Sequence, residues 1–178
     1  MKKVIIIGSP GAGKSVFSNK LKKITNLPLY HLDTIFYKKD GTHVSTEEFI
    51  EELKKFFKKD AWILDGNYQR TLELRLKECD TVFLLDFPTE ICLQGAESRL
   101  GKQRDDIPWF ENELNKEFKN KIVKFSNEKL PKIYELLNQY KESINIIIFK
   151  NRTEADNYIK NYINKWKNNL FRIFKQLL

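Results

Sequence analysis

The residues with the clearest chemical potential form a glycine-rich loop near the start of the chain. Residues 8–15 match the pattern G-x-x-x-x-G-K-[ST], and they are Gly8, Ser9, Pro10, Gly11, Ala12, Gly13, Lys14 and Ser15. Glycines let the backbone amides of such a turn converge on a phosphate group, and the N-terminus of a following helix adds to that attraction. In this pattern the lysine reaches the β- and γ-phosphates, and the hydroxyl ligates Mg²⁺. The loop therefore predicts binding of ATP with Mg²⁺; the alternative is a glycine-rich turn without a ligand.

Acidic side chains follow two apolar segments that are expected to be strands. Asp33 comes directly after segment 29–32, and Asp65 closes segment 61–65. Ligands of a parallel sheet bind beyond the carboxyl ends of its strands, so both carboxylates should face the phosphate loop. We expect Asp65 to hold Mg²⁺ through water, and Asp33 to position the metal or to accept a proton from an acceptor hydroxyl. A helix cap is the alternative for Asp33, and His31 is expected to contact the substrate or support the structure rather than to catalyse.

The residues after Asp65 are candidates for binding the phosphate acceptor. Asn67 and Tyr68 continue directly from the end of this strand and are assigned to the acceptor site. Arg70 follows them and could hold either the acceptor or the γ-phosphate. A surface ion pair with Glu73 is the alternative for this arginine.

A cluster of cations surrounds one glycine later in the chain. Arg99, Lys102 and Arg104 lie there, and phosphoryl transfer needs cations that neutralise the charge developing on the transferred group. We expect a short lid over residues 97–112, with Arg99 and Arg104 as catalytic residues, which excludes water when it closes. An ordinary charged helix end is the alternative.

The last part of the chain supplies one more site candidate and an amphipathic helix. Arg152 follows the last predicted strand, where we expect it to stack on the adenine base, while Thr153 can cap the next helix. That helix, over about 153–177, has an apolar face formed by Tyr158, Tyr162, Trp166, Leu170, Ile173 and Leu177. We expect this face to pack on the domain or on a second subunit; a membrane-surface helix is the alternative.

The elements that must position these residues alternate between strand and helix patterns. Strands are predicted at residues 4–7, 29–32, 61–65, 81–86 and 144–149, and helices from 15 onward and at 45–59, 70–78, 89–100, 109–140 and 153–177. Ser45 and Glu48 form a capping box at the start of the second helix. This order predicts an α/β protein with the three-layer P-loop NTPase fold, in which helices flank a five-stranded parallel sheet. No linker divides it, so residues 1–178 should form a single domain.

Charge and cysteine content limit the partners and the location. The net charge of +8 lies in residues 119–178, which hold 13 Lys and Arg against 5 Asp and Glu. This excess is typical either of a surface that attracts nucleic acid or of a merely solvated one, and no nucleic-acid-binding motif accompanies it. Cys79 and Cys92 form no CxxC pair, which favours a reducing compartment. Because no apolar run is long enough to span a membrane, the cytoplasm is the expected location.

Several sequence pieces together resemble a known family. They are I-I-I-G-S-P-G-A-G-K-S at 5–15, L-Y-H-L-D at 29–33, W-I-L-D-G-N-Y at 62–68, D-T-V-F-L-L-D-F-P at 80–88 and R-L-G-K-Q-R at 99–104. With them the chain resembles the adenylate kinase-like P-loop kinases, and most of all the bacterial topology modulation proteins. The resemblance covers about residues 1–160 and implies a nucleotide loop, an acceptor-binding region at about 31–60 and a lid. Adenylate kinases carry D-G-F-P-R where this chain has D-G-N-Y-Q-R, so Arg70 lies one position further along.

The function predicted from these residues is an ATP-dependent small-molecule kinase. It would transfer the γ-phosphoryl group to a nucleoside, a nucleotide or a similar hydroxyl-bearing acceptor. The alternative is an ATP-binding regulatory protein that acts on nucleic acid, in keeping with an effect on DNA topology, through the basic C-terminal region. A switch-type GTPase is disfavoured because no N-K-x-D guanine motif is present. Monomer and homodimer are both compatible with the sequence.

Overall fold

The computed structural model describes the backbone of residues 1–177 and the side chains of residues 1–165. It contains five strands, β1 (Lys3–Gly8), β2 (Leu29–His31), β3 (Trp62–Asp65), β4 (Thr81–Leu85) and β5 (Asn145–Phe149). Its α-helices are α1 (Lys14–Thr25), α2 (Leu32–Phe36), α3 (Thr46–Phe57), α4 (Leu72–Leu76), α5 (Thr89–Glu97), α6 (Lys116–Lys124), α7 (Leu130–Tyr140) and α8 (Arg152–Leu177). A 3₁₀ turn at Gln69–Thr71 precedes α4, and a π-helical turn at Phe125–Lys129 joins α6 to α7.

The five strands form one sheet in the order β2-β3-β1-β4-β5, and every pairing is parallel. The central strand β1 is a continuous apolar run, as expected for a strand covered on both faces. Its side chains alternate between two cores: Val4 and Ile6 face one, and Ile5 and Ile7 face the other. The predicted α/β fold with a five-stranded parallel sheet is thereby confirmed.

Helices cover both faces of the sheet. On one face, apolar side chains of α1, α5, α6 and α8 pack on the sheet, among them Phe17, Leu21, Cys92, Ile122 and Ile159. On the other face the packing residues come from α2, α3, α4 and α7, and they include Leu32, Phe49, Leu72 and Ile133. Three layers result, and the carboxyl ends of all five strands lie at one edge of the sheet.

The helix boundaries follow local capping where the sequence supplies it. The predicted capping box is present at α3, because the Ser45 side chain accepts from the Glu48 amide and the Glu48 side chain accepts from the Ser45 amide. The helix predicted over 109–140 begins only at Lys116, where the Asn115 side chain accepts a hydrogen bond of 2.8 Å from the amide of Phe118. Residues 98–115 therefore form no α-helix, and they include all but the first residue of the lid predicted over 97–112.

The first turns of α8 pack on the domain. Ala155 and Ile159 are buried, and the Tyr158 ring lies 5.1 Å from the ring of Phe83. The rest of the predicted apolar face, which comprises Trp166, Leu170, Ile173 and Leu177, lies outside the residues whose side chains the structure describes. Within the described part of the chain, no helix combines the length and the apolar character needed to cross a membrane.

Candidate active site

The phosphate loop connects β1 to α1 and is shaped by its glycines. Gly11 and Gly13 have φ values of 80° and 91°, in the left-handed region that residues with a Cβ rarely adopt. A Cβ on Gly11 would lie 1.9 Å from the carbonyl oxygen of Cys92, and one on Gly95 would lie 2.1 Å from the carbonyl oxygen of Gly11. At these two glycines the loop and α5 therefore touch backbone to backbone. Gly95 has no place among the site residues predicted from the sequence, although an isolated glycine inside a helical pattern is a recognised sign of close packing.

Lys14 lies in the curve of this loop. Its Nζ donates to the carbonyl oxygens of Gly8 and Ser9, each at 3.1 Å. Burial lowers the pKa of Lys14, and the charges of Asp65 and Asp33 oppose that shift. A cation held by neutral carbonyls of a partly buried loop is well placed to exchange them for the negatively charged oxygens of a phosphate.

Asn67 supports the first residue of the phosphate loop. Its Oδ1 accepts from the amide of Gly8 at 2.9 Å, and its Nδ2 donates to the carbonyl oxygen of Gly8 at 2.6 Å. Both hydrogen-bonding groups of the Asn67 amide are therefore engaged by the loop. The side chain that the sequence assigns to the acceptor therefore binds Gly8 of the phosphate loop, and Asn67 also lines the cleft that contains Lys14 and Asp33, so its role toward an acceptor stays a prediction.

Arg75 binds the backbone of the turn that carries Asn67. This arginine is fully buried, and its guanidinium donates to the carbonyl oxygens of Gly66 at 2.9 Å and Tyr68 at 3.1 Å, and also to that of Asn67. A guanidinium has five donors in a rigid fork, so one side chain can fix several carbonyls of an irregular turn. Arg75 is missing from the sequence-based site because it looks like an ordinary residue of a short charged helix.

Asp65 and His31 form a buried pair at the ends of two neighbouring strands. His31 Nδ1 lies 2.9 Å from Asp65 Oδ2, and Ser18 Oγ donates to the same oxygen at 3.3 Å. The other carboxylate oxygen, Oδ1, is buried and has no hydrogen-bond partner among the described residues. Burial acts to lower the pKa of His31, but the hydrogen bond and the charge of Asp65 outweigh it, so that the pKa is raised.

Asp33 lies on the same cleft, at the first turn of α2. Its Oδ1 accepts a hydrogen bond of 2.6 Å from the hydroxyl of Tyr68. Burial raises the pKa of Asp33, although the Tyr68 hydrogen bond and the charge of Lys14 act in the opposite direction. A carboxylate with a raised pKa accepts a proton more readily than an ordinary aspartate, which suits a general base.

The segment predicted to be a lid, residues 97–112, is organised by paired charges. Arg104 binds Asp106 through two hydrogen bonds, Nε to Oδ1 at 2.9 Å and Nη2 to Oδ2 at 2.6 Å, and its Nη1 donates to Glu111 Oε2 at 2.6 Å. Arg99 Nε lies 3.1 Å from that same Glu111 oxygen. The amide of Gly101 donates to the carbonyl oxygen of Glu111 at 2.9 Å, which closes the base of the loop. The predicted lid arginines are therefore brought together, and two carboxylates that the sequence prediction left out hold them.

The lid touches both walls of the cleft. Asp106 accepts a hydrogen bond from the hydroxyl of Ser15 in the phosphate loop. On the other side, the ring of Trp109 lies edge-to-face with the ring of Tyr37, with centroids 4.9 Å apart. The cleft beneath the lid has a volume of about 1390 Å³, and Lys14, Asp33, Arg104 and Arg152 all line it.

Two predicted arginines lie at the margins of the site. Arg152 lines the main cleft, and its Nη2 donates to the carbonyl oxygen of Ile91 at 3.4 Å. Arg70 is exposed and lines a separate cavity of about 610 Å³, next to the π-helical turn. The alternative for Arg70 is an ion pair with Glu73. Among the described residues Glu73 pairs instead with Lys77, at 2.9 Å.

Comparison with known proteins supports the fold and a distant sequence similarity. No protein-family model matches the chain. Adenylate kinases of Thermotoga petrophila and Thermotoga maritima are each 27% identical to it over 88 residues, which is 48% of the chain and only 39% of the relative. A shikimate kinase from Acinetobacter baumannii, solved with shikimate, superposes with a TM-score of 0.61 at 18% identity, covering 95% of this chain and 94% of that one. A deoxyadenosine kinase from M. mycoides superposes with a TM-score of 0.51 at 14% identity, covering 93% and 98%. The chain thus has the fold of P-loop kinases.

Proposed function

We propose that this chain is a Mg²⁺-dependent kinase that transfers the γ-phosphoryl group of ATP to a hydroxyl group of a small acceptor. The observation that carries the proposal is the placement of Lys14 and Asp33 in one cleft beneath a lid that contains two arginines. Such a cleft would bring a phosphate-binding loop and a half-buried carboxylate base together, as an in-line transfer requires. The fold shared with shikimate and deoxyadenosine kinases is consistent with this reaction.

The nucleotide end of the cleft would hold the phosphates through the amides of residues 8–15 and through the ammonium of Lys14. Asn67 fixes the start of this loop, since it binds both backbone groups of Gly8. Arg152 lines the cleft where the adenine base would lie, and it could stack on the base. These proposed roles support ATP as the phosphoryl donor.

The residues next to Lys14 also fit a magnesium ion. Mg²⁺ takes oxygen ligands, usually one or two protein groups together with water and phosphate oxygens. The Ser15 hydroxyl lies at the loop, and the buried Oδ1 of Asp65 has no hydrogen-bond partner in the described structure, so it remains free to accept from metal-bound water. When bound, the ion would neutralise negative charge on the β- and γ-phosphates. Ser15 would hold the ion directly, and Asp65 would hold it through water.

Asp33 is the proposed base for the acceptor. The acceptor oxygen would give its proton to Asp33 and form a bond to the γ-phosphorus, while the bond from that phosphorus to the β–γ bridging oxygen breaks and ADP leaves. Tyr68 holds Asp33 in place through its hydroxyl. Arg99 and Arg104 would stabilise the charge that spreads over the transferred group.

The charge of the acceptor region favours an acceptor without a phosphate of its own. Among residues 31–60, all of whose side chains the structure describes, those that line the cleft are His31, Asp33, Tyr37 and Gly41, and no lysine or arginine is among them. A monophosphate acceptor would therefore meet the Asp33 carboxylate and no lysine or arginine from this region, while Arg99 and Arg104 in the same cleft are the residues proposed to bind the transferred group; this is unfavourable for a second phosphate in a partly buried site. We infer that a nucleoside or a similar uncharged polyol is a better acceptor than a nucleotide.

The test is a matched screen of acceptors for ADP release from Mg²⁺-ATP. Nucleosides, their 5′-monophosphates, sugars and shikimate would be compared in one coupled assay. We expect turnover with at least one uncharged acceptor, and loss of that turnover in Lys14→Ala while the thermal unfolding profile is kept. The proposal is overturned if calorimetry detects no binding of Mg²⁺-ATP to the folded chain, or if Lys14→Ala retains full turnover.

The alternative, a regulatory ATP-binding protein acting on nucleic acid, rests on the basic C-terminal region and on the resemblance to topology modulation proteins. Several lysines of that region are already paired with carboxylates: Lys121 with Glu117 at 2.9 Å, Lys124 with Glu128 at 3.4 Å, and Lys150 with Asp86. This pairing lowers the charge available to phosphates. A DNA affinity that falls steeply with salt, and that is lost when residues 160–178 are removed, would favour the alternative.

A further inference from the structure

A carboxylate of the predicted lid binds the hydroxyl of Ser15, the side chain proposed above to ligate Mg²⁺ directly. Asp106 is only 8% exposed, and it accepts a hydrogen bond from Ser15 Oγ although 91 residues separate the two in sequence. The roles assigned above to the lid involve only its arginines. Those roles give no function to the contact between Asp106 and Ser15.

Asp106 is held rigidly in this position by further residues of the lid. Arg104 binds both of its carboxylate oxygens, and Glu111 in turn binds Arg104. A carboxylate bound through both oxygens by a guanidinium carries its negative charge and can only accept hydrogen bonds.

A hydroxyl that ligates a cation must direct a lone pair at the cation and its single hydrogen elsewhere. A carboxylate that accepts this hydrogen fixes the orientation of the hydroxyl and makes its oxygen a better ligand, as outer-shell carboxylates do for other metal ligands. Asp106 already accepts the hydrogen of Ser15. Its negative charge also lies close to the place where a divalent cation would sit, which favours the cation further.

We propose that Asp106 is an outer-shell positioning residue, which the closed lid presents to Ser15 so that the Ser15 oxygen faces the magnesium ion. This inference rests on the proposed function, because it assumes that a magnesium nucleotide occupies the loop. It gives Arg104 a second task, the positioning of Asp106, besides stabilising the transferred group. It also makes tight binding of the metal depend on closure of the lid.

The competing role for Asp106 is a lid clasp, a contact that only holds the lid against the loop. The two roles differ in their dependence on the metal. Loss of a clasp weakens nucleotide binding with and without Mg²⁺ by the same factor. Loss of the positioning role reduces only the increase in nucleotide affinity that Mg²⁺ provides. Nucleotide binding without metal should stay unchanged or become tighter, because a negative charge near the phosphates has been removed.

The experiment measures the dissociation constant of the non-hydrolysable β,γ-imido analogue of ATP by calorimetry, with Mg²⁺ and with EDTA. The variants are Asp106→Ala, Asp106→Asn as a variant of nearly equal size, and Asp105→Ala as the control, because Asp105 is the exposed neighbour. We expect the Mg²⁺-dependent gain in affinity to fall by about 10–100-fold in Asp106→Ala, in line with the loss of other outer-shell partners. Asp105→Ala should keep the wild-type gain.

A second readout follows the metal itself. Mn²⁺ replaces Mg²⁺, and electron paramagnetic resonance gives the affinity of Mn²⁺ for the complex of the chain with the same analogue; Asp106→Ala should weaken it by a similar factor. The inference is overturned if the variant loses affinity equally with and without metal, or if it loses none. Failure of the wild-type chain to bind the nucleotide analogue at all would instead overturn the proposed function, and this inference with it.

Discussion

Asn67 offers a sharp test of how the site is built, because sequence and structure give it different roles. Its position after β3 predicts a contact with the acceptor, whereas its side chain binds the amide and the carbonyl of Gly8 at 2.9 Å and 2.6 Å. The perturbation is Asn67→Ala, which removes both side-chain hydrogen bonds to Gly8. The hydrogen bond from Arg75 to the backbone carbonyl of residue 67 does not involve the side chain and is kept. We expect the variant to weaken nucleotide binding and to leave acceptor binding almost unchanged.

The magnitude follows from the two lost hydrogen bonds. Each contributes about 0.5–1.5 kcal/mol net, so the free energy of unfolding should fall by about 1–3 kcal/mol. The loop that loses its support is the one that binds phosphate. If about 1 kcal/mol of this loss appears in binding rather than in folding, the dissociation constant of Mg²⁺-ATP should rise about fivefold.

Calorimetry with Mg²⁺-ATP gives the nucleotide affinity, urea unfolding gives the stability, and the KM for the acceptor comes from the ADP-release assay. Asn120→Ala is the matched control, since Asn120 is exposed on α6 and the same atoms are removed. We expect the control to change the free energies of Mg²⁺-ATP binding and of unfolding by no more than is typical of surface substitutions, about 0.5 kcal/mol.

The reasoning would be refuted by the opposite pattern. If Asn67→Ala raised the KM of the acceptor several-fold while the affinity for Mg²⁺-ATP and the stability stayed at wild-type values, the side chain would act on the acceptor as the sequence predicts. The hydrogen bonds to Gly8 would then have no role in nucleotide binding.

Two further predictions concern the acceptor base and the turn behind it. Asp33→Asn should lower kcat/KM for the acceptor by about 10²–10⁴-fold with little change in nucleotide affinity. Because burial raises the pKa of Asp33, wild-type kcat/KM should fall as the pH drops through a value above the ordinary aspartate pKa of about 3.9; a fall only at or below that value would contradict its role as base. Arg75→Met should lower the free energy of unfolding by about 2–6 kcal/mol, since it removes the donor to the carbonyls of Gly66 and Asn67, at about 1–3 kcal/mol each, whereas the Tyr68 carbonyl keeps its hydrogen bonds from Thr71. Arg70→Met, at an exposed position, is the control for urea unfolding, and equal losses in the two variants would contradict the role given to Arg75.

The parts of the structure that sequence alone predicted are those set by local patterns. The apolar run of β1, the glycine pattern of the loop and the capping box of Ser45 and Glu48 each depend on residues within a few positions of one another. Alternation of such segments fixed the fold class, because parallel strands require helical crossovers. The grouping of Lys14 and Asp33 in one cleft likewise followed from the rule for strand ends.

The parts that could not be predicted depend on contacts between distant residues. The Asn67 contact with Gly8 joins residues 59 apart, and the Asp106 contact with Ser15 joins residues 91 apart. No local pattern distinguishes Arg75 from its neighbours, since its role arises only when the turn before it folds back over the guanidinium. The ion pair between Arg104 and Asp106 did have a sequence signal, because the two residues are only two positions apart. A search of this segment for cations alone overlooks it.

The contact between Gly11 and Gly95 also determines where the lid can pivot. Since only backbone separates the phosphate loop from α5 at this point, no flexible side chain can absorb a displacement of one relative to the other. The hydrogen bond between Gly101 and Glu111 makes the lid a loop tied at its neck. Opening of the predicted lid is therefore expected to be a swing of this tied loop about the residues that join it to α5 and α6, 98–100 and 112–115. Gly101 has a φ of 68° and open space where a Cβ would be, which suits it to act as a hinge residue.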